Sequence, residues 1–251
     1  MKLDAEAIRR ARVLFVGAGG LSSPAALAIA RTGVASITLL DDDLVDISNL
    51  HRQLLFSDAD VGLDKATRAA ARLQVEVESL GLGTVVRAFS RRLVPETAAD
   101  ELHDIDMVIE GADNMATKFL VADACALARV PVVQAGVIRW NGWAFANTPA
   151  KSACLRCVFE DLPSRTSGVQ ETCSVAGVVG PVVGVMGSIQ ALLAVRMLGG
   201  DTTAAGEIWS YDALRGSLRR SQVHRRAGCP LCNGEIRDLS VARYAAAVCA
   251  A

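Results

Sequence analysis

The stretch from residue 13 to residue 41 constrains this chain more than any other. Residues 13–16 (Val-Leu-Phe-Val) are apolar throughout, as a strand covered on both faces must be. They run into Gly17-Ala18-Gly19-Gly20, and residues 22–32 then read as a helix with Pro24 in its first turn, where a missing N–H is no loss. Gly33 ends that helix, residues 36–40 form a second apolar strand, and Asp41 stands at its carboxyl end. Strand, glycine turn, helix, strand and acid make up a phosphate-binding βαβ unit. The glycines let backbone N–H groups approach phosphate at a helix N-terminus, and the acid accepts ribose hydroxyls. Ser22 departs from the small Gly or Ala usual at the third position. A tight structural turn with no nucleotide is the alternative.

The alternation continues downstream. The spacing predicts helices over 4–12, 65–80, 95–103 and 116–128, and strands over 84–89, 107–110 and 130–134. Strands alternating with helices imply right-handed crossovers and a mainly parallel sheet. After Val137, residues 140–146 and 207–218 read as antiparallel strands around a glycine-punctuated helix at 180–198. The expected class is α/β, a Rossmann-like mainly parallel sheet flanked by helices and continued by antiparallel strands. One domain is expected, with a nucleotide-binding half (1–135), a second half (136–235) and a tail (236–251). The loop over 160–172 has a flexible composition.

Composition narrows the function classes. A formal net charge of -1 argues against nucleic-acid binding driven by phosphate neutralisation, so any anion site is built locally. The longest apolar run, 175–198, is interrupted by glycines, Pro181, Gln190 and Arg196, and no membrane role is expected. The first residues lack an apolar signal region, which makes a cytoplasmic enzyme the expectation.

Four of the seven cysteines form two Cys-x-x-Cys pairs, Cys154/Cys157 and Cys229/Cys232. Together they suit one closed tetrahedral Zn2+ site of structural character; two separate redox dithiols are the alternative. Cys173, beside Ser174 and outside any apolar run, is a candidate nucleophile, with an inert thiol as its alternative. Cys125 fits core packing, and His103 and His224 fit the surface.

Arg52 and Lys65 discriminate between enzyme classes. A nicotinamide enzyme leaves pyrophosphate to the helix N-terminus and needs few cations, whereas a triphosphate attacked by another anion needs several. Asp41, Arg52, Lys65 and Asp113 all fall near the carboxyl edge of the sheet, where ligands of such folds bind.

The run Val-Gly-Ala-Gly-Gly-Leu, then Leu40-Asp41-Asp42-Asp43, Ser48-Asn49-Leu50-His51-Arg52-Gln53 and Gly62-Leu63-Asp64-Lys65-Ala66 resembles the ThiF/MoeB/HesA family. The resemblance continues through Gly111-Ala112-Asp113-Asn114, the cysteine pairs, Thr172-Cys173 and Gly184-x-x-Gly187-Ser188-Ile189-Gln190-Ala191, covering roughly 10–235. It implies adenylation of the C-terminal glycine of a small ubiquitin-like sulfur-carrier protein ending in Gly-Gly, which prepares it for thiocarboxylate formation with a sulfur donor. It implies ATP and Mg2+ as cofactors, zinc on the four paired cysteines, a carrier-binding second half and a homodimer. By the same likeness Gly19, Gly20, Asp41, Ser48, Asn49, Leu50, His51, Arg52, Lys65, Asp113 and Asn114 would hold the nucleotide. Arg52, Lys65 and Asp113 would serve catalysis, and Cys173 would form a thioester or disulfide in some members. Members carry an arm ahead of the first helix with an Arg-Tyr-x-Arg-like motif; neither Arg9 nor Arg10 aligns with its arginine. A degenerate carrier-binding module and a nicotinamide-dependent oxidoreductase are the competing readings.

Overall fold

The computed structural model describes residues 3–161 and 177–244. Helix α1 (Ala5–Arg10) leads into β1 (Arg12–Val16), α2 (Ser22–Ala30) and β2 (Ser36–Leu40). Then come α3 (Lys65–Ser79), β3 (Val85–Phe89), the single turn α4 (Ala98–Glu101), β4 (Met107–Glu110), α5 (Met115–Ala128) and β5 (Val132–Ile138). The chain continues through β6 (Asn141–Asn147), α6 (Leu155–Phe159), α7 (Gly180–Leu198), β7 (Glu207–Asp212), β8 (Ser217–Gln222) and α8 (Val241–Tyr244).

All eight strands join one sheet in the order β3-β2-β1-β4-β5-β6-β7-β8. The first five are parallel, and from β5 onward each neighbour is antiparallel. Alternation along β1 builds both faces of the core. Val13 and Phe15 pack with α2, α3 and α7, whereas Leu14 and Val16 pack with α4 and α5. Because β1 lies between β2 and β4, the crossovers diverge at its carboxyl end and open a crevice there, the usual ligand position in such sheets.

Helix α7 is long and apolar enough to cross a membrane by length and composition, but half of it is buried in this fold. It packs on α2, β5 and β6. Contact with α2 is so close that a Cβ at Gly187 would collide with the Leu21 carbonyl and stand 2.6 Å from Pro24 Cγ.

Two expectations need correction. The fifth strand runs past Gln134 to Ile138, because residues after Gln134 pair antiparallel with β6. The expected single strand over 207–218 is a hairpin of β7 and β8. Its turn is held by Asp212, which accepts from the N–H groups of Leu214 and Arg215 at 3.1 Å, and Gly216 takes φ +60° to close it.

Candidate nucleotide site

Gly17 adopts φ +92°, and a Cβ there would press on Gly111 and Ala112 at 3.3 Å. The glycine turn therefore lies directly against the loop that follows β4. Asp41 ties this turn to the end of β2: its Oδ2 accepts from Ala18 N–H at 2.6 Å and its Oδ1 from Asp43 N–H at 2.9 Å. Burial pushes the Asp41 carboxyl above its usual range, opposed by those two N–H groups and by Lys65.

The segment after β2 is shaped by Asp46, whose Oδ1 accepts from Ser48 N–H (2.8 Å) and Ser48 Oγ (2.5 Å) at the start of a short 3-10 turn. This presents Asn49 Oδ1 to Arg52 Nη2 at 2.5 Å, while Arg52 Nη1 donates to the Ser48 carbonyl at 3.3 Å. His51 Nδ1 lies 2.9 Å from the same carbonyl and so carries the hydrogen, leaving Nε2 to accept from Arg52 at 3.3 Å. All partners of the guanidinium are neutral; among the described residues no carboxylate pairs with it.

Lys65 opens α3 just after its cap, Asp64, which accepts from Thr67 N–H at 2.7 Å. Lys65 is buried, with its Nζ 2.8 Å from Asp43 Oδ2. Asn114 caps α5 through Thr117 N–H at 2.9 Å and leaves the preceding Asp113 carboxylate exposed and without a partner among the described residues.

These groups enclose a cavity of about 820 Å³. Gly19, Gly20, Asp41, Ser48, Asn49, His51, Arg52, Lys65, Asp113 and Asn114 line it. Leu50 does not; it packs against the core. The lining also includes Gln53 and Arg92, to which the sequence reading gave no role. Gln53 is buried, and its Oε1 has no hydrogen-bond partner, an orphaned acceptor at the cavity wall. Arg92, beyond β3, pairs with Asp42 at 3.1 Å on the Asp41 side. The signal for Gln53 was its place in the 48–53 run; Arg92 carried none, because only the sheet order brings it beside Asp42.

The floor behind Asp113 is a buried polar cluster. Glu110 receives Lys118 Nζ at 3.0 and 3.2 Å, Gln134 Nε2 at 3.1 Å and Ala112 N–H at 2.6 Å. Burial pushes the Glu110 carboxyl above its usual range, and the Lys118 charge opposes that shift.

The cysteine pairs meet beside Leu231 and Ile236. Their Sγ atoms stand 3.4–3.7 Å apart across four contacts. Tetrahedral Zn–S bonds of about 2.3 Å require S···S near 3.8 Å, whereas a disulfide needs about 2.05 Å, so the four free thiols fit a zinc ion. Burial, with Cys157 and Cys229 and against Cys154, pushes the Cys232 thiol up to about 11. Cys125 is a buried core residue whose thiol burial pushes far up, which makes it inert. Cys173 lies outside the described residues, as does most of the 160–172 loop. His103 and His224 are exposed.

Glycine turn, acid at the end of β2, an arginine without a carboxylate partner and a buried lysine meet at one cavity of an α/β fold. Residues 2–231 match the ThiF family, and the chain belongs to it. It is 37% identical over 228 residues to the "Sulfur carrier protein ThiS adenylyltransferase" of Escherichia coli K12, covering 90% of this chain and 88% of that protein. It is 36% identical over 247 residues to the "Sulfur carrier protein adenylyltransferase" of Thermus thermophilus, covering 96% and 89%. Against "Adenylyltransferase and sulfurtransferase MOCS3" of Dictyostelium discoideum, 34% identical over 223 residues, the chain spans only 51% of the relative's length. Among solved structures, E. coli MccB with MccA-N7isoASN shares the fold at TM-score 0.75 and 20% identity, over 91% of this chain and 68% of that one. By enzyme class the chain is an adenylyltransferase.

Proposed function

We propose that the chain adenylates the C-terminal glycine carboxylate of a small ubiquitin-like sulfur-carrier protein ending in Gly-Gly, consuming ATP and releasing pyrophosphate. The observation that carries the reading is the unpaired Arg52 guanidinium, facing the same cavity as the glycine turn and the buried Lys65. The E. coli and Thermus relatives, whose names state this activity on sulfur carriers, support it.

An α-carboxylate is ionised at neutral pH, so its oxygen attacks the α-phosphorus without a general base. The obstacle is repulsion between two anions, and catalysis consists of positioning and charge neutralisation. Gly19 and Gly20 admit the phosphates to backbone N–H groups, and Asp41 accepts from the ribose. Ser48, Asn49 and His51 hold Arg52 against the phosphates, with Leu50 anchoring the segment in the core. Lys65 neutralises the α-phosphate as its bond to the pyrophosphate oxygen breaks, and Asn114 fixes the neighbouring loop. Asp113, an exposed carboxylate at the cavity with no partner among the described residues, suits Mg2+, which takes one or two carboxylates plus phosphate oxygens and supplies charge stabilisation when bound.

In this reading residues 1–135 bind the nucleotide, 136–235 receive the carrier, and the four-cysteine site staples the second half. A homodimer, a sulfur donor acting on the adenylate and a cytoplasmic setting accompany it. Pyrophosphate exchange into ATP tests it. Exchange that requires both Mg2+ and a Gly-Gly-ending carrier is expected. Tight NADH binding without ATP binding would favour the oxidoreductase reading, and carrier binding without exchange the degenerate module.

A further inference from the structure

We propose that Glu110 and Lys118 form a positioning pair that holds the loop 111–113, and through it sets Asp113 for the metal-bound nucleotide. Both side chains are almost wholly buried, yet neither lines the cavity, so the proposed chemistry does not use them directly. A buried ion pair contributes little to stability over an apolar pair of the same volume, so its presence beneath a site calls for another account.

The geometry supplies one. Lys118 Nζ donates to both Glu110 carboxylate oxygens and to the Ala135 carbonyl at 2.5 Å, which uses all three of its hydrogens. Glu110 Oε1, so held, accepts from the Ala112 N–H at 2.6 Å, one residue before Asp113. Gln134 donates to Glu110 Oε2 at 3.1 Å, and Gln190 on α7 donates to the Glu110 carbonyl at 2.7 Å. On the other side Gly111 N–H donates to the Val16 carbonyl at 3.0 Å. The loop is thus fixed from β1, β5, α5 and α7, while the Asp113 side chain has no hydrogen bond or ion pair among the described residues. Its direction is inherited from the peptide anchored by Glu110. This inference rests on Asp113 serving the Mg2+–ATP complex.

The test uses the double variant Glu110→Leu/Lys118→Met, which removes both charges together and leaves no uncompensated buried ion. It is expected to keep the parent's far-UV circular dichroism. It should lose hydrogen-exchange protection at the Ala112 amide and require at least fivefold more Mg2+ for half-maximal exchange. Calorimetry should show metal-free ATP binding within twofold of the parent. Lys118→Arg, which keeps the cation, should retain the parent's Mg2+ requirement. An unchanged Mg2+ requirement in the double variant, or unchanged Ala112 protection, overturns the proposal. If the double variant does not fold, an amide-to-ester replacement at Ala112, which deletes that one N–H without adding bulk beside Glu110, must raise the Mg2+ requirement, and its failure to do so overturns the proposal. Asp113→Asn run in parallel separates the two ideas: a parent-like Mg2+ requirement there defeats the role of Asp113 itself. An impaired Asp113→Asn beside a parent-like double variant defeats only the positioning pair.

Discussion

Lys65 is held by Asp43 twice: its Nζ stands 2.8 Å from Asp43 Oδ2, and its backbone N–H donates to the Asp43 carbonyl at 3.0 Å. Asp43 N–H in turn donates to Asp41, so one residue connects the acid at the end of β2 to the lysine that opens α3. The lysine side chain is 7% exposed and the Asp43 side chain 60%, so the carboxylate is the screened, displaceable partner. In the proposed reaction an incoming phosphate competes with Asp43 for a cation already in place. Lys65→Ala is expected to lower the exchange rate by about 10²–10³-fold. Asp43→Asn should bind metal-free ATP roughly two- to fivefold tighter by calorimetry, in line with an exposed ion pair. Weaker or unchanged binding would show that Asp43 does not compete with phosphate.

The two glycines of the phosphate turn predict opposite behaviour. A Cβ at Gly20 would stand 2.9 Å from Val183 Cγ1 and 3.3 Å from Arg52, so Gly20→Ala should cost about 1–3 kcal/mol of stability and displace Arg52. A Cβ at Gly19 meets only Gln53 Nε2, at 3.5 Å, an ordinary contact. Gly19→Ala should therefore melt within a degree or two of the parent. Any loss of ATP affinity there reports the approach of phosphate, and full affinity would remove Gly19 from the site.

The four-cysteine centre joins α6 to the segment carrying Leu231 and Ile236, a small apolar cluster of its own. Purified protein should contain one zinc per chain by elemental analysis. Cys229→Ser should lose the zinc and at least about 3 kcal/mol of stability, or roughly 6–12 °C in Tm. Exchange activity at 25 °C should survive, because a closed site offers no open position for chemistry. A variant that keeps its metal would contradict the ligand set.

Asp60 carries a pH dependence. Its Oδ2 accepts from Ser57 N–H (2.8 Å) and Oγ (2.9 Å), and its Oδ1 takes Arg68 at 2.5 Å, joining the 44–64 segment to α3. The Ser57 backbone N–H, followed by the Ser57 hydroxyl and Arg68, holds the carboxyl below its usual range. For an acid lowered in the folded state the stabilisation is complete above the unfolded value near 3.8 and is lost as pH falls through the folded value. Asp60→Asn should cost about 1 kcal/mol at pH 7 in urea unfolding, with the difference shrinking below about pH 4. A cost independent of pH would place the effect in packing.

Local signals made much of this molecule legible. The apolar strands around Gly17–Gly20 fixed β1, α2 and β2, since each is declared by a few adjacent residues. Cavity-lining residues were legible where they sit in short runs, as Ser48, Asn49, His51 and Arg52 do. The β7–β8 hairpin was missed because its turn rests on Asp212 and one glycine rather than on an Asn-Gly or Asp-Gly pair. Glu110, Lys118, Gln134 and Gln190 escaped for a different reason. They come from four elements, with Gln190 and Glu110 separated by 80 positions, and only the sheet order and α7 bring them together. Leu50 lay in the right run but packs against the core instead of lining the cavity.

The most direct test of the account is the mass of a Gly-Gly-ending carrier after incubation with the enzyme, ATP and Mg2+. Gain of an AMP group on its C-terminal glycine, with one pyrophosphate released per adduct and little of either with Arg52→Ala, is the predicted result. ATP consumed with release of phosphate and no AMP adduct, or an Arg52→Ala protein as active as the parent, would contradict it.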